Sequence, residues 1–223
     1  MKIKIAPSLA SADQSRLGWA AQEAERGGAD LLHFDLEDGV FIPNLTFGPA
    51  TIRDLRPLTS LPFDVHLEVV DPESYLQAVV EAGANGVTLQ VEATRYPYRV
   101  LHMAKSLGVK AGLAFAAATP LDVVGPVLDE LDVIHLMTAE PNGSGAHFLP
   151  ALLAKIREAR QRIGQRPIEI EVDGGISVEN AGRVVEAGAT ILVAGRAIWE
   201  TSDPVSAMEA LRAAACAAGL RQT

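Results

Sequence analysis

Cysteine is nearly absent from this chain of 223 residues: Cys216 stands alone, so no disulfide can form within it. Lying in an Ala-rich terminal stretch, it reads as a small packing residue and not as a nucleophile. Cationic charge is also scarce, with 19 Lys and Arg against 28 Asp and Glu and a net charge of -9. That balance argues against a nucleic-acid partner and offers an anionic metabolite no global attraction, so any phosphate must be held by local donors and dipoles. No apolar run approaches the roughly 18 residues of a membrane span. The opening MKIKIAPSLA reads as a strand and lacks the hydrophobic block of a signal peptide. These absences predict a cytoplasmic protein with no membrane partner. Linkers, charge blocks and low-complexity tracts are missing too, so the expectation is one domain over residues 1–223.

What the chain does have is alternation. Strand-like segments are expected at 3–7, 31–36, 63–67, 86–91, 111–115, 133–137, 168–172 and 190–194. Amphipathic helices fit between them at 11–26, 72–81, 98–106, 120–129, 149–163, 178–186 and 204–218. A short repeat, RGGAD, EAGAN and EAGAT, ends a helix each time and leads into an apolar strand, with glycine as the left-handed cap. Eight βα units with short connections predict an α/β fold of the closed parallel (β/α)8, or TIM-barrel, type.

Two strand segments carry unusual chemistry. HFDLEDG presents His33, Asp35 and Glu37 on one face, and FDVHLEV presents Asp64, His66 and Glu68. Charged groups have no place in a dry core unless paired or metal-bound. His33, Asp35 and His66, joined by Asp173 after strand seven, make a four-ligand set suited to Zn2+, Fe2+, Mn2+ or Co2+. In such barrels chemistry sits at the C-terminal strand ends, where Ser8, Asp35, His66 and Asp173 all fall. Three glycine-bearing loops after strands six to eight, TAEPNGSGAHF, DGGIS and AGRAIW, have the character of a phosphate cradle.

Taken together, IAPSLASAD, GADLLHFDLEDGVFIPNLTFGP, LPFDVHLEV, IEVDGGIS and AGRAIW resemble the ribulose-phosphate 3-epimerase family nearly end to end. The resemblance implies that His33, Asp35, His66 and Asp173 bind the metal and that Asp35 and Asp173 double as acid and base. Ser8 and His66 would touch the substrate, a phosphorylated ketose. Asn142, Gly143, Ser144 and Gly145, with Gly174, Gly175, Gly195 and Arg196, would hold the phosphate. Related barrels commonly assemble, so a homo-oligomer is expected.

The resemblance breaks near the presumed pocket. Family members usually carry methionine where this chain has Glu37 and Glu68; Gln90 replaces a frequent histidine, NGSGA replaces Gly-Phe-Gly-Gly-Gln, and Arg196 replaces a common serine. Glu37 and Glu68, with Met137 at the end of strand six, are therefore candidate specificity residues. The default substrate pair is D-ribulose 5-phosphate and D-xylulose 5-phosphate. The alternatives are another ketose phosphate, such as allulose 6-phosphate, and a non-catalytic sugar-phosphate binding protein.

Overall fold

The protein is described from a computed structural model covering residues 2–140 and 147–219. Its strands are β1 Lys4–Pro7, β2 Leu32–Glu37, β3 Phe63–Glu68, β4 Gly86–Gln90, β5 Lys110–Phe115, β6 Val133–Met137, β7 Glu169–Asp173 and β8 Ile191–Ala194. All pair in parallel in the order β1-β8-β7-β6-β5-β4-β3-β2, and a bridge between Ser8 and His33 brings β1 back against β2. This is the (β/α)8 barrel that the alternation predicts. The helices around it are α1 Leu17–Arg26, α2 Pro49–Leu55, α3 Leu76–Ala82, α4 Pro97–Ser106, α5 Leu153–Ile163, α6 Val178–Ala187, α7 Arg196–Trp199 and α8 Pro204–Gly219. None of the described helices is long and apolar enough to cross a membrane.

Strand alternation divides the core in two. Outward residues such as Phe34, Phe63, Leu67, Leu89 and Leu113 are fully buried beneath the helices. The Phe34 ring sits 4.8 Å from Phe63 and 5.8 Å from Phe47, centroid to centroid. Inward residues are different: His33, Asp64, His66, Thr88, Gln90, His135 and Glu171 are all buried inside the ring. A barrel interior is ordinarily filled with Val, Ile and Leu, so this polar plug marks where the fold departs from what packing alone would choose.

The GAD, GAN and GAT repeats acquire a structural role. Gly28, Gly83 and Gly188 take positive φ at 69°, 117° and 120° and turn the chain out of α1, α3 and α6. The residue two places later then clasps the preceding strand. Asp30 accepts from Ile5 N, Asn85 from Phe63 N and Thr190 from Ile170 N, at 2.7–3.0 Å. Asp132, outside the repeat, does the same for Ala111 N at 2.9 Å. Each clasp residue also donates its own N–H to the carbonyl of that partner.

Several boundaries differ from the sequence reading. The helix expected over 120–129 is a 3-10 segment, Asp122–Glu130, because Pro126 lies inside it and has no N–H for an α-helical bond. The 11–26 helix starts only at Leu17, after two 3-10 turns capped by Ser8 and Asp13. The seven-residue α2, entered through Gly48 and Pro49, was not expected, being too short for a periodic signal. Cys216 is exposed, not packed; the buried stripe of α8 runs through Met208, Leu211 and Ala215.

Replacing Thr190 by Val keeps the side-chain shape but leaves the buried Ile170 N–H without its acceptor. We expect Thr190→Val to lose about 1–3 kcal/mol, read as a lowered urea midpoint; an unchanged midpoint would deny the clasp its role.

Candidate active site

Strand register stacks the inward side chains in layers. His33 faces Asp64 across β2 and β3, Asp35 faces His66 one layer up, and Glu37 faces Glu68 at the rim. On the other wall His135 pairs with Glu171 and Met137 with Asp173. Asp173, expected just after strand seven, is its last residue.

Asp35 is the hub. Its Oδ1 lies 3.0 Å from His33 Nε2 and 3.3 Å from His66 Nδ1, and its Oδ2 accepts from Ser8 Oγ at 2.7 Å. The other ring nitrogen of His33 contacts Asp64 Oδ2 at 2.7 Å, and His66 Nε2 lies 3.1 Å from Gln90 Nε2. Burial pulls His33 down, but the Asp35 charge, hydrogen bonds to Asp35 and Asp64, and the Glu171 carboxyl 3.2 Å from Nδ1 outweigh it and hold the imidazole well above its ordinary value. Burial also works against the Asp35 anion, yet the same His33 holds this carboxyl well below the usual range. At Asp173 the His33 charge is outweighed: burial first, then the Asp35 charge, push this carboxyl up to about 7.

One ligand atom from each of His33, Asp35, His66 and Asp173 falls within a mutual 4.8 Å. The donor set fits a divalent ion: two imidazoles and two carboxylates, His33, Asp35 and His66 buried and Asp173 partly so, with Asp64 behind His33 to orient its ring. Buried oxygens and nitrogens left without hydrogen bonds, on Glu68, His135 and Glu171, also gather here. The four predicted ligands are thus brought together.

Glu37 and Glu68 share the rim. They are register partners across β2 and β3, and Asn44 Nδ2 donates to Glu37 at 2.6 Å. Burial, then Asp35 and Glu37, raise Glu68 well above the carboxylate range; burial also raises Glu37. Both carboxyls thus lean toward their neutral forms, Glu68 the more so, and the rim presents fewer charges than its sequence suggests.

A cavity of about 800 Å³ opens over these groups, lined by Ser8, Asp35, Glu37, Glu68, Met137 and Asp173. Gly174, Gly175, Ser177, Gly195 and Arg196 line it too. The two DGGIS glycines sit at φ 111° and 68°, and a Cβ on Gly174 would stand 2.7 Å from Ala139 N. A side chain at Gly195 would collide with Ser11 Oγ. Glycine is therefore required for this backbone to line the cavity. The predicted Asn142, Gly143, Ser144 and Gly145 lie outside the described residues. His135, Glu171, Asn44 and Ser11 were missed by sequence reading, although inward alternation along VIHLM puts His135 on the same face as Met137.

A carboxyl at about 7 in the fold and near 3.8 when unfolded binds its proton more tightly in the native state. Between those values stability must fall as pH rises. We expect metal-free protein to lose stability over that window relative to Asp173→Asn, measured by denaturant unfolding. Parallel pH profiles for the two would refute the assignment.

Against known proteins, the model of the Ribulose-phosphate 3 epimerase family matches residues 4–199. The Bacillus subtilis ribulose-phosphate 3-epimerase is 42% identical over 213 residues, covering 94% of this chain and 98% of the relative. That of Escherichia coli K12 is 42% identical over 211 residues, covering 93% and 94%. Among solved structures, 3-hexulose-6-phosphate synthase from Salmonella typhimurium superposes with a TM-score of 0.76 at 16% identity, covering 97% of this chain and 100% of the other. KGPDC from Streptococcus mutans gives 0.74 at 15%, covering 97% and 99%. These two likenesses speak for the fold alone.

Proposed function

The chain belongs to the ribulose-phosphate 3-epimerase family and is an isomerase; on that premise we propose that it is a metal-dependent 3-epimerase of a ketose phosphate, with D-ribulose 5-phosphate and D-xylulose 5-phosphate as the default pair. The observation that carries the reading is the unlike pair of aspartates. In the ion-free protein Asp35 is held ionised and Asp173 is pushed up to about 7, with oxygens of the two inside the same 4.8 Å cluster.

Inversion at C3 of a 2-ketose needs one group to take the proton and another to deliver one to the opposite face. An ionised Asp35 is suited to accept and a protonated Asp173 to donate, and the reverse reaction exchanges the roles. Ser8 holds the second oxygen of Asp35, so the carboxylate cannot swing away from the reacting carbon. His33, Asp35, His66 and Asp173 would hold the ion, which supplies positive charge where the enediolate develops negative charge. Gly174, Gly175, Gly195 and Arg196, which line the same cavity, would bind the phosphate, Arg196 by a charge-assisted contact.

A second reading, an epimerase of a different ketose phosphate such as a hexulose 6-phosphate, is favoured by the Glu37–Glu68 pair. With Asn44 beside it, this pair brings donors and acceptors to a rim where relatives usually carry methionine.

Deuterium incorporation at C3 from heavy water, followed by NMR with ribulose 5-phosphate, tests the reaction. We expect exchange by wild type, its loss on chelation, and a fall of at least about 100-fold in Asp35→Asn and in Asp173→Asn. No exchange with any of several ketose phosphates would refute the epimerase reading. The substrate is tested separately by Glu37→Met combined with Glu68→Met. A sharp gain in pentulose-phosphate turnover is expected if the glutamates set specificity, and no change would leave them bystanders.

A further inference from the structure

Among the inward side chains that the chemistry proposed above leaves unused is His135. It projects from β6 into the barrel with no exposure, and neither of its ring nitrogens has a hydrogen-bond partner among the described residues. A polar group that has surrendered its water is expected to recover a partner inside the protein. Ordinary hydrogen bonding does not provide one. Nδ1 lies 3.4 Å from Glu171 Oε1, and both oxygens of Glu171 likewise lack a hydrogen bond. Nε2 stands 3.9 Å from Asp173 Oδ2.

The surroundings point elsewhere. The His135 ring is 4.3 Å from that of His66 and 5.6 Å from that of His33, centroid to centroid. One nitrogen from each of the three falls within a mutual 4.8 Å, the same criterion that gathers His33, Asp35, His66 and Asp173. We propose that His135 is a further ligand of the divalent ion, giving a set of three imidazoles, His33, His66 and His135, alongside Asp35 and Asp173. The inference rests on the metal-dependent reading above.

Two consequences give the proposal its chemical sense. With Nε2 turned to the ion, Nδ1 is free to donate to Glu171, as His33 Nδ1 does to Asp64, so both inner rings are oriented by a carboxylate behind them. And three imidazoles would hold the ion without relying on the two carboxylates that exchange protons. A nitrogen-rich set of more than four donors also suits iron, cobalt or manganese better than a closed tetrahedral zinc site.

X-ray absorption of the cobalt(II)-loaded wild type counts coordinated imidazoles without any variant. Three are expected, and two would overturn the proposal while leaving the metal reading intact. If the wild type takes up no ion, both fall together. In His135→Leu, whose apolar side chain suits a barrel interior, chelator competition should show cobalt affinity lowered by at least about tenfold. Its absorption bands should intensify as the coordination number drops. Unchanged affinity and bands in a folded variant would make His135 a packing residue.

Discussion

A single buried negative charge, that of Asp35, organises the upper half of the barrel. An ionised carboxylate removed from water is tolerated only among partners, and the chain supplies them from separate elements: Ser8 beyond β1, His33 beside it in β2, and His66 from β3. Each partner makes demands of its own. His33 needs a second acceptor and finds Asp64, while the Ser8 carbonyl is held by the Trp199 indole at 2.7 Å. Thr46, from the loop after β2, hydrogen-bonds the Asp35 carbonyl. One charge thus ties the first strand, the second loop and a late helix into one arrangement, and Trp199 becomes part of the site's support without touching its cavity.

The barrel separates two kinds of stabilisation. Apolar burial lies between strands and helices, where Phe34, Phe63 and their neighbours pack as in any parallel sheet covered on its outer face. Electrostatic satisfaction is confined to the interior, where acids and imidazoles outnumber aliphatic groups in the upper layers. Since the outer core carries most of the apolar burial, the interior is free to be strained, charged and selective. The unequal environments of Asp35 and Asp173 follow from this freedom: the same residue type sits beside an imidazolium in one case and beside an anion in the other.

Much of this was legible in the sequence because the signals were periodic. Eight apolar segments at regular intervals specify a barrel, and period-two placement puts His33, Asp35 and Glu37 on one face before any coordinates are known. Chemistry at strand ends was legible for the same reason. The 3-10 course of Asp122–Glu130 was not, since apolar spacing alone does not tell how Pro126 redirects the hydrogen bonds around it. His135 was passed over because a lone histidine in VIHLM looks like an ordinary strand residue; only the closed ring shows which two other imidazoles it meets. The pairing of Glu37 with Glu68, which raises Glu68, depends on cross-strand register, which the pattern of a single strand does not contain.

The four clasps at the lower rim use side chains to bind the main chain of β1 from the start of β2, β3 from β4, β5 from β6 and β7 from β8, while the intervening pairs are tied there by backbone bonds such as Lys110 N to the Asn85 carbonyl. The molecule is therefore a ring of four two-strand parcels, each internally latched. Breaks in the chain falling between β2 and β3, β4 and β5, or β6 and β7 leave every latch whole, whereas breaks within a parcel separate a strand from its latch. Circular permutation and exchange of quarter-barrels between relatives thus have three natural seams.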